Sequence, residues 1–226
     1  MKGSLEQPAL MPEAERFRQL AEKCREVQTS FLLAVLRHFY FRLRGKSILT
    51  SNRVKINGLQ NIFTKEFLTI GLSHYGFMHK MDRTFLNIDG KLIFTGRFSM
   101  GKGCRFDIGP KAEVKFSSGY MSPNTDVILV HGMTVGDGCA ISWGCQFLDD
   151  DFHDLDYEGR REPGNPHIHI GSHVWIGSRV TVLKGAVIPD GCVVASNSVV
   201  NKPFTEKNCL LGGNPAKVIR RNVNWE

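Results

Sequence analysis

From about residue 88 onward an apolar residue returns every six positions, and a small residue tends to follow four places later. Near the C-terminus the frames read Ile170-Gly171-Ser172-His173-Val174-Trp175, then Ile176-Gly177-Ser178-Arg179-Val180-Thr181. They run on through Val182, Ile188 and Val194 to Val199, five in register without a break. The same frame holds upstream in Val135-Gly136-Asp137-Gly138-Cys139-Ala140 and Ile141-Ser142-Trp143-Gly144-Cys145-Gln146. A looser version covers residues 88–106, and residues 52–87 hold degenerate coils whose frame the pattern does not set.

A helix would repeat at 3.6 residues and a half-buried strand at 2. Six residues make one short flat strand and one tight turn. Three such units close a triangular coil, and the coils stack in parallel, each burying its aliphatic residue on the one below. Gly, Asp and Asn recur where the chain must turn, because they tolerate positive φ. The expected fold is therefore mainly β, a parallel β-helix solenoid over residues 51–226. The small position points inward, and Cys104, Cys139, Cys145 and Cys192 all occupy it. That makes them small buried hydrophobes in place of metal ligands or redox groups.

Residues 11–45 read as helix, and residues 1–50 as an N-terminal helical cap. Pro12 sits near the start, helix formers follow, and Phe17, Leu20, Cys24, Val27 and Phe31 recur at three- and four-residue spacing. Gly45 is the expected stop. Arg37, His38, Arg42, Arg44 and Lys46 lie among aromatic residues, which suits peripheral contact with a membrane surface. The leading expectation is a helix packed on the end of the solenoid or on a neighbouring subunit, with membrane contact as the alternative. Residues 31–40 are too few for a membrane span.

Between residues 148 and 168 the period breaks. This stretch is polar, carries Gly and Pro, and reads as a loop ejected from the coil. Long loops on a rigid scaffold usually carry function. His153 stands near its start among Asp149, Asp150, Asp151, Asp154 and Asp156. A nearby carboxylate can orient an imidazole and stabilise its protonated form.

Composition narrows the classes. There are 29 basic and 22 acidic residues, a formal charge of +7. That suits a phosphate-bearing ligand and is too dispersed to argue for nucleic acid. The polar first fifteen residues lack the features of a secretory signal, and no C-x-x-C pair occurs. The expected compartment is the cytoplasm.

The repeat, the ejected loop and the run Val174-Trp175-Ile176-Gly177-Ser178 together resemble the hexapeptide-repeat acyltransferases over roughly residues 88–221. Within that family the closest likeness is to the sugar and polysaccharide O-acetyltransferases: the galactoside, maltose and nodulation enzymes and, for Asp151-Phe152-His153, the capsule and lipopolysaccharide ones. The resemblance implies a left-handed winding and acetyl-CoA as acyl donor, with no metal required. It also implies a carbohydrate acceptor and a homotrimer with active sites between subunits. It makes His153 the catalytic base. Trp175, Ser178 and Ser196 match residues along the pantetheine groove. Asn201 and Lys202 stand where the family usually has Thr-Lys, so Asn201 departs from the pattern. Lys217 and Arg220 match basic residues near the adenosine phosphates. Ser122, Asn124, Trp143 and Asp151 fall near acceptor contacts.

Three other functions fit parts of the pattern. N-acetylation of an amino sugar or antibiotic needs the same machinery. A γ-carbonic-anhydrase-like zinc protein shares the fold and would draw on His131, His153, His167, His169 and His173. No stretch has that family's histidine spacing. A non-catalytic trimeric scaffold has no reason to keep the loop, the Val-Trp-Ile-Gly-Ser run and a basic tail together.

Overall fold

A computed structural model describes residues 13–73, 76–79, 81–153 and 165–226. Among these residues two helices precede a stack of short strands that form three sheets of nine, seven and six strands, parallel throughout except for the last strand of the first. Successive strands pass from the first sheet to the second to the third, then return to the first one coil further on. The sheets are thus the three faces of a prism, and the turns between strands are its corners.

The register explains why the hexapeptide frame is strict only late in the chain. Trp175 pairs with Val193, and Thr181 with Val199, so each of these coils is closed by three hexapeptides with nothing left over. Upstream, Phe98 pairs with Gly119 and Gly119 with Cys139, and both of those coils run slightly longer than three hexapeptides. The extra residues sit at corners, so the strands stay in register while the frame drifts. These wider coils also enclose larger side chains. Phe94 and Phe116 stack at 5.4 Å and 11°, with Phe98 4.9 Å from Phe116, all three buried. Downstream the small inward position holds Val174, Val180, Ala186, Cys192 and Ser198, all buried. Upstream it still holds the buried Cys104 and is filled by phenylalanine at Phe98, while Phe94 and Phe116 enlarge the aliphatic position that Val135 and Ile170 take further on.

Residues 52–87 do form coils. Val54 pairs with Thr84 in a longer coil, because extra chain separates the strands Leu68–Ile70 and Thr84–Ile88 at the first–second corner. The downstream turns keep strict time: His173, Arg179, Gly185, Gly191 and Asn197, six apart, all have positive φ of 54–71°. Gly and Asn tolerate this; His and Arg adopt it less readily.

The helical region differs from one continuous helix over residues 11–45. Helix α1 spans Glu13–Glu26 and helix α2 spans Phe31–Leu43. Gln28 turns left-handed at φ 52°, and the Ser30 hydroxyl caps α2 by accepting from Leu33 N–H at 3.4 Å. Gly45, at φ 70°, ends α2 as expected. Phe31 consequently starts a new helix instead of continuing the stripe of Leu20, Cys24 and Val27, and the side chain of Phe17 lies outside the described residues. Cys24 and Val27 pack with Ala34, Leu49 and Leu72 in a small core of their own. The first solenoid strand, Ile48–Thr50, begins inside the 1–50 segment expected to be cap.

All six cysteines are reduced and buried. The Sγ of Cys139 donates to Gly171 O at 3.1 Å and that of Cys145 to Gly177 O at 3.2 Å. Burial pushes the Cys104 thiol up to about 12, and those of Cys139 and Cys145 to about 11. The thiolate is the reactive form. Thiol labelling with a chromogenic disulfide at pH 8 should therefore modify none of the six before unfolding and all six in guanidinium. Rapid native labelling of any solenoid cysteine would contradict this packing.

Candidate active site

The ejected loop leaves the second–third corner after the strand Gln146–Leu148 and rejoins at Ile168–Ile170. Ala140 pairs with Trp175 across it, whereas Trp175 already meets Val193 in the next coil, so the loop nearly doubles the length of its own coil. The start of the loop is tied down residue by residue. Asp149 is fully buried and accepts from the backbone N–H groups of Val130 at 2.7 Å, His131 at 2.9 Å and Gly132 at 2.6 Å. A side chain at Gly132 would not fit, because its Cβ would lie 2.6 Å from Glu113 O and 2.9 Å from His167 Nδ1.

Asp150 accepts from the Phe152 N–H at 2.6 Å and meets His131 Nε2 at 2.8 Å. The Phe152 N–H first, and His131 second, hold its carboxyl below the usual carboxylate range. Phe152 takes a left-handed conformation at φ 59°. Asp151 pairs with Lys184 of the following coil. His153 comes next and is exposed. None of the three adjacent carboxylates contacts it; Asp154 and Asp156, also considered as its orienting partners, lie outside the described residues. At the far end of the loop, His167 Nε2 shares a hydrogen bond with Thr134 Oγ1 at 3.1 Å. Burial pulls the His167 imidazole pKa down, with His169 adding to the effect.

The other candidate residues gather at the first–second corner. Asn124 is exposed and left-handed at φ 59°. One coil on, Trp143 is exposed, its ring 5.7 Å from Phe77 of the loop at 71–83. Next come Ser178 and Ser196, whose hydroxyls lie 3.1 Å apart. Trp175 lies on the adjoining first face, exposed, its Nε1 donating to Ser142 Oγ at 3.2 Å. Beside it Trp225 stacks on His173 at 4.3 Å and 7°, with Trp225 Nε1 donating to His173 O at 2.9 Å. This contact clasps the C-terminus to the first face.

The end of the coil forms a cleft of about 310 Å³ lined by Lys202, Phe204, Glu206 and Lys217 among others. Lys202 Nζ stands 5.6 Å from the Phe204 ring centroid. Glu206 is neutralised by Arg221 Nε at 2.7 Å, which leaves the two lysines as the cleft's uncompensated charges. Two ammonium groups beside a ring suit a phosphorylated, aromatic ligand end. Asn201 is exposed just before this cleft and Arg220 just after it, and neither lines it.

One chain thus brings Asn124, Trp143, Ser178 and Ser196 into one column and Lys202 and Lys217 into one cleft. It does not bring His153 to that column, since the two stand at opposite edges of the second face. Among the described residues no three His, Cys, Asp or Glu side chains are arranged to hold a metal ion. His131, His167 and His173 are each engaged with a different partner.

The family profile described as bacterial transferase hexapeptide (six repeats) matches residues 167–202, where the coils keep the strict hexapeptide frame. An "uncharacterized 24.8 kDa protein in cps region" of Klebsiella pneumoniae is 41% identical over 94% of this chain and 96% of its own length. The chain belongs to the bacterial hexapeptide transferase family. Its fold is the left-handed β-helix of such transferases. Among solved structures, the N-acyltransferase AntD from Bacillus cereus, in complex with dTDP and 3-hydroxybutyryl-CoA, is similar at TM-score 0.50 and 18% identity. That match covers 80% of this chain and 87% of AntD. The polysialic acid O-acetyltransferase OatWY matches at TM-score 0.41 and 24% identity, over 78% and 74% of the two chains. In this hexapeptide transferase, sequence reasoning missed the anchoring role of Asp149, the approach of Phe77 to Trp143 and the Trp225 clasp. The buried carboxylate alone had a signal, an aspartate directly after the last strand residue before the break.

Proposed function

We propose that the protein is an acetyl-CoA-dependent O-acetyltransferase that modifies a hydroxyl of a sugar or polysaccharide in the cytoplasm. The observation that carries this reading is the built base of the ejected loop. Asp149, Asp150 and Asp151 are each committed to a structural partner, and the chain they fix ends on an exposed imidazole at His153. A transferase scaffold that spends three carboxylates on presenting one histidine fits general-base catalysis. The Klebsiella relative, named for its cps region, supports a capsular polysaccharide as the acceptor.

Acetyl-CoA would supply an activated acyl group on a thioester. The lysine cleft suits its phosphates, and the groove past Trp175, Ser178 and Ser196 suits its pantetheine arm. His153 takes the proton from the acceptor hydroxyl as the oxygen bonds to the carbonyl carbon. It then returns that proton to the departing sulfur as the C–S bond breaks. Asn124 and Trp143, with Asp151, would line the acceptor side.

The separation of His153 from the groove supports a homotrimer. Three prisms in a closed ring set the second–third corner of one subunit against the first–second corner of the next. Each site would then combine the histidine of one chain with the groove of its neighbour.

The test is release of free thiol from acetyl-CoA across a panel of sugars, amino sugars and capsular glycans. A hydroxyl-bearing glycan should stimulate release and gain an alkali-labile acetyl group. Stimulation only by amines, with an alkali-stable product, would replace O-transfer by N-transfer. No thiol release and no acetyl-CoA binding would overturn the enzymatic reading.

A further inference from the structure

Helix α2 packs on the solenoid with the face that its sequence makes least apolar. Ala34, Arg37, His38 and Phe41 form its inner stripe. Ala34 and Phe41 are buried, the Arg37 guanidinium donates to Thr50 Oγ1 and Val54 O at 2.8 Å each, and His38 Nδ1 meets Ile48 O at 2.8 Å. This leaves the hydrophobic side of the helix outward. Leu32, Leu36, Phe39 and Leu43 fall within one narrow sector opposite that stripe at 100° per residue. Their exposures are 65%, 55%, 60% and 89%. Leu33 and Tyr40 widen the patch along one flank. Soluble proteins rarely leave a contiguous apolar surface of this kind without a partner.

The charges around the patch identify the partner. No Asp or Glu occurs from residue 27 to residue 65, whereas Arg37, Arg42, Arg44, Lys46, Arg53, Lys55 and Lys65 all do. Arg37 is turned inward by its hydrogen bonds, but Arg42 and Arg44 at the end of α2 are exposed. Arg44 lies 4.7 Å from the Tyr40 ring centroid, at the border of the patch. An apolar helix face edged by cations and free of carboxylates is complementary to an anionic bilayer surface, where side chains enter the acyl boundary and cations meet headgroups. No helix among the described residues is long and apolar enough to cross a membrane.

We propose that α2 docks the protein on the surface of an anionic lipid bilayer, with Leu32, Leu36, Phe39 and Leu43 inserted and Arg42 and Arg44 against the headgroups. The binding is peripheral and reversible, and it weakens with salt because the cationic contribution is screened. The face is remote in the fold from His153 and from the groove, so docking and acyl transfer are separable.

The experiment is flotation of the full-length protein with vesicles of phosphatidylcholine, with and without 30 mol% phosphatidylglycerol, paired with light scattering of the lipid-free protein. Wild type should float with the anionic vesicles, and at least tenfold less with phosphatidylcholine alone. Leu36→Glu/Leu43→Glu should abolish flotation while keeping the wild-type melting temperature and mass. Arg42→Ala/Arg44→Ala should reduce anionic binding by about tenfold or more. Failure of wild type to float overturns the proposal, as does flotation that the glutamate pair leaves intact. A wild-type assembly that the glutamate pair splits overturns it too, because the face would then be a seam between copies. Thiol release measured on the same variants separates this proposal from the assigned activity. Loss of flotation with unchanged release supports docking, and absence of release from all proteins rejects the activity alone.

Discussion

Replacing His153 by alanine is expected to lower acyl transfer by about 10²-fold or more, with acetyl-CoA binding unchanged. The loop base predicts this separation. The cleft with Lys202 and Lys217 and the column of Ser178 and Ser196 are built from coils that the His153 side chain does not touch. Its removal takes the proton acceptor and leaves the donor site. Equilibrium binding of acetyl-CoA and single-turnover thiol release with the best acceptor measure the two quantities. Equal loss of binding and turnover would mean that His153 positions the donor, and unchanged turnover would remove it from the chemistry. Because the site is proposed to span two chains, a second readout is available. Mixing His153→Ala subunits with Lys202→Ala/Lys217→Ala subunits should restore some activity, since a ring can then contain one unaltered histidine facing one unaltered cleft.

Asp149→Asn is expected to be the most damaging single substitution at the loop, although the carboxylate touches no reacting atom. Its oxygens accept three backbone N–H groups while fully buried. Hydrogen bonds to a buried charge contribute about 1.5–3 kcal/mol each, and an amide would turn a donor toward donors. A net loss of about 3 kcal/mol corresponds to a fall in Tm of about 6–12 °C for a chain of this size. Transfer should fall as well, because residues 150–153 hang from this anchor. The discriminating comparison is Asp150→Asn, which removes a solvent-accessible pair with His131 and should shift Tm far less. Similar melting temperatures for the two variants would show that the buried anchor does not hold the loop.

The solenoid was legible where its period is strict. From Ile170 to Val199 a coil of three hexapeptides forces one aliphatic and one small residue into each six, and the structure follows that frame. The wider coils upstream break the frame without breaking the stack. Phe94 and Phe116 enlarge the aliphatic position there, and Phe98 takes a small one, to fill a wider interior. The excursion at residues 71–83 has no periodic signature at all. Local turn chemistry split the helical cap, through Gln28 and the Ser30 cap, against a stripe that reads as continuous. At the site, the position of His153 could be read from the break in period. The partners of its neighbours could not, because they come from other coils: Val130, His131 and Gly132 for Asp149, and Lys184 for Asp151. Residues that meet across a coil boundary are separated by a full turn of the chain or more, and no local pattern links them.

A stack of parallel strands has two open ends, each a row of unpaired N–H and C=O groups able to accept another copy. At the leading end α2 lies across Ile48–Thr50, with Phe41 in the main core and Arg37 and His38 occupying backbone carbonyls of the first coil. At the trailing end the strand Ala216–Arg220 turns back antiparallel onto Leu210–Gly213, against the direction of every other pairing in its sheet. A further coil arriving there would meet a strand running the wrong way. One edge of the stack is therefore blocked at each end, which works against head-to-tail growth of the repeat into a fibre.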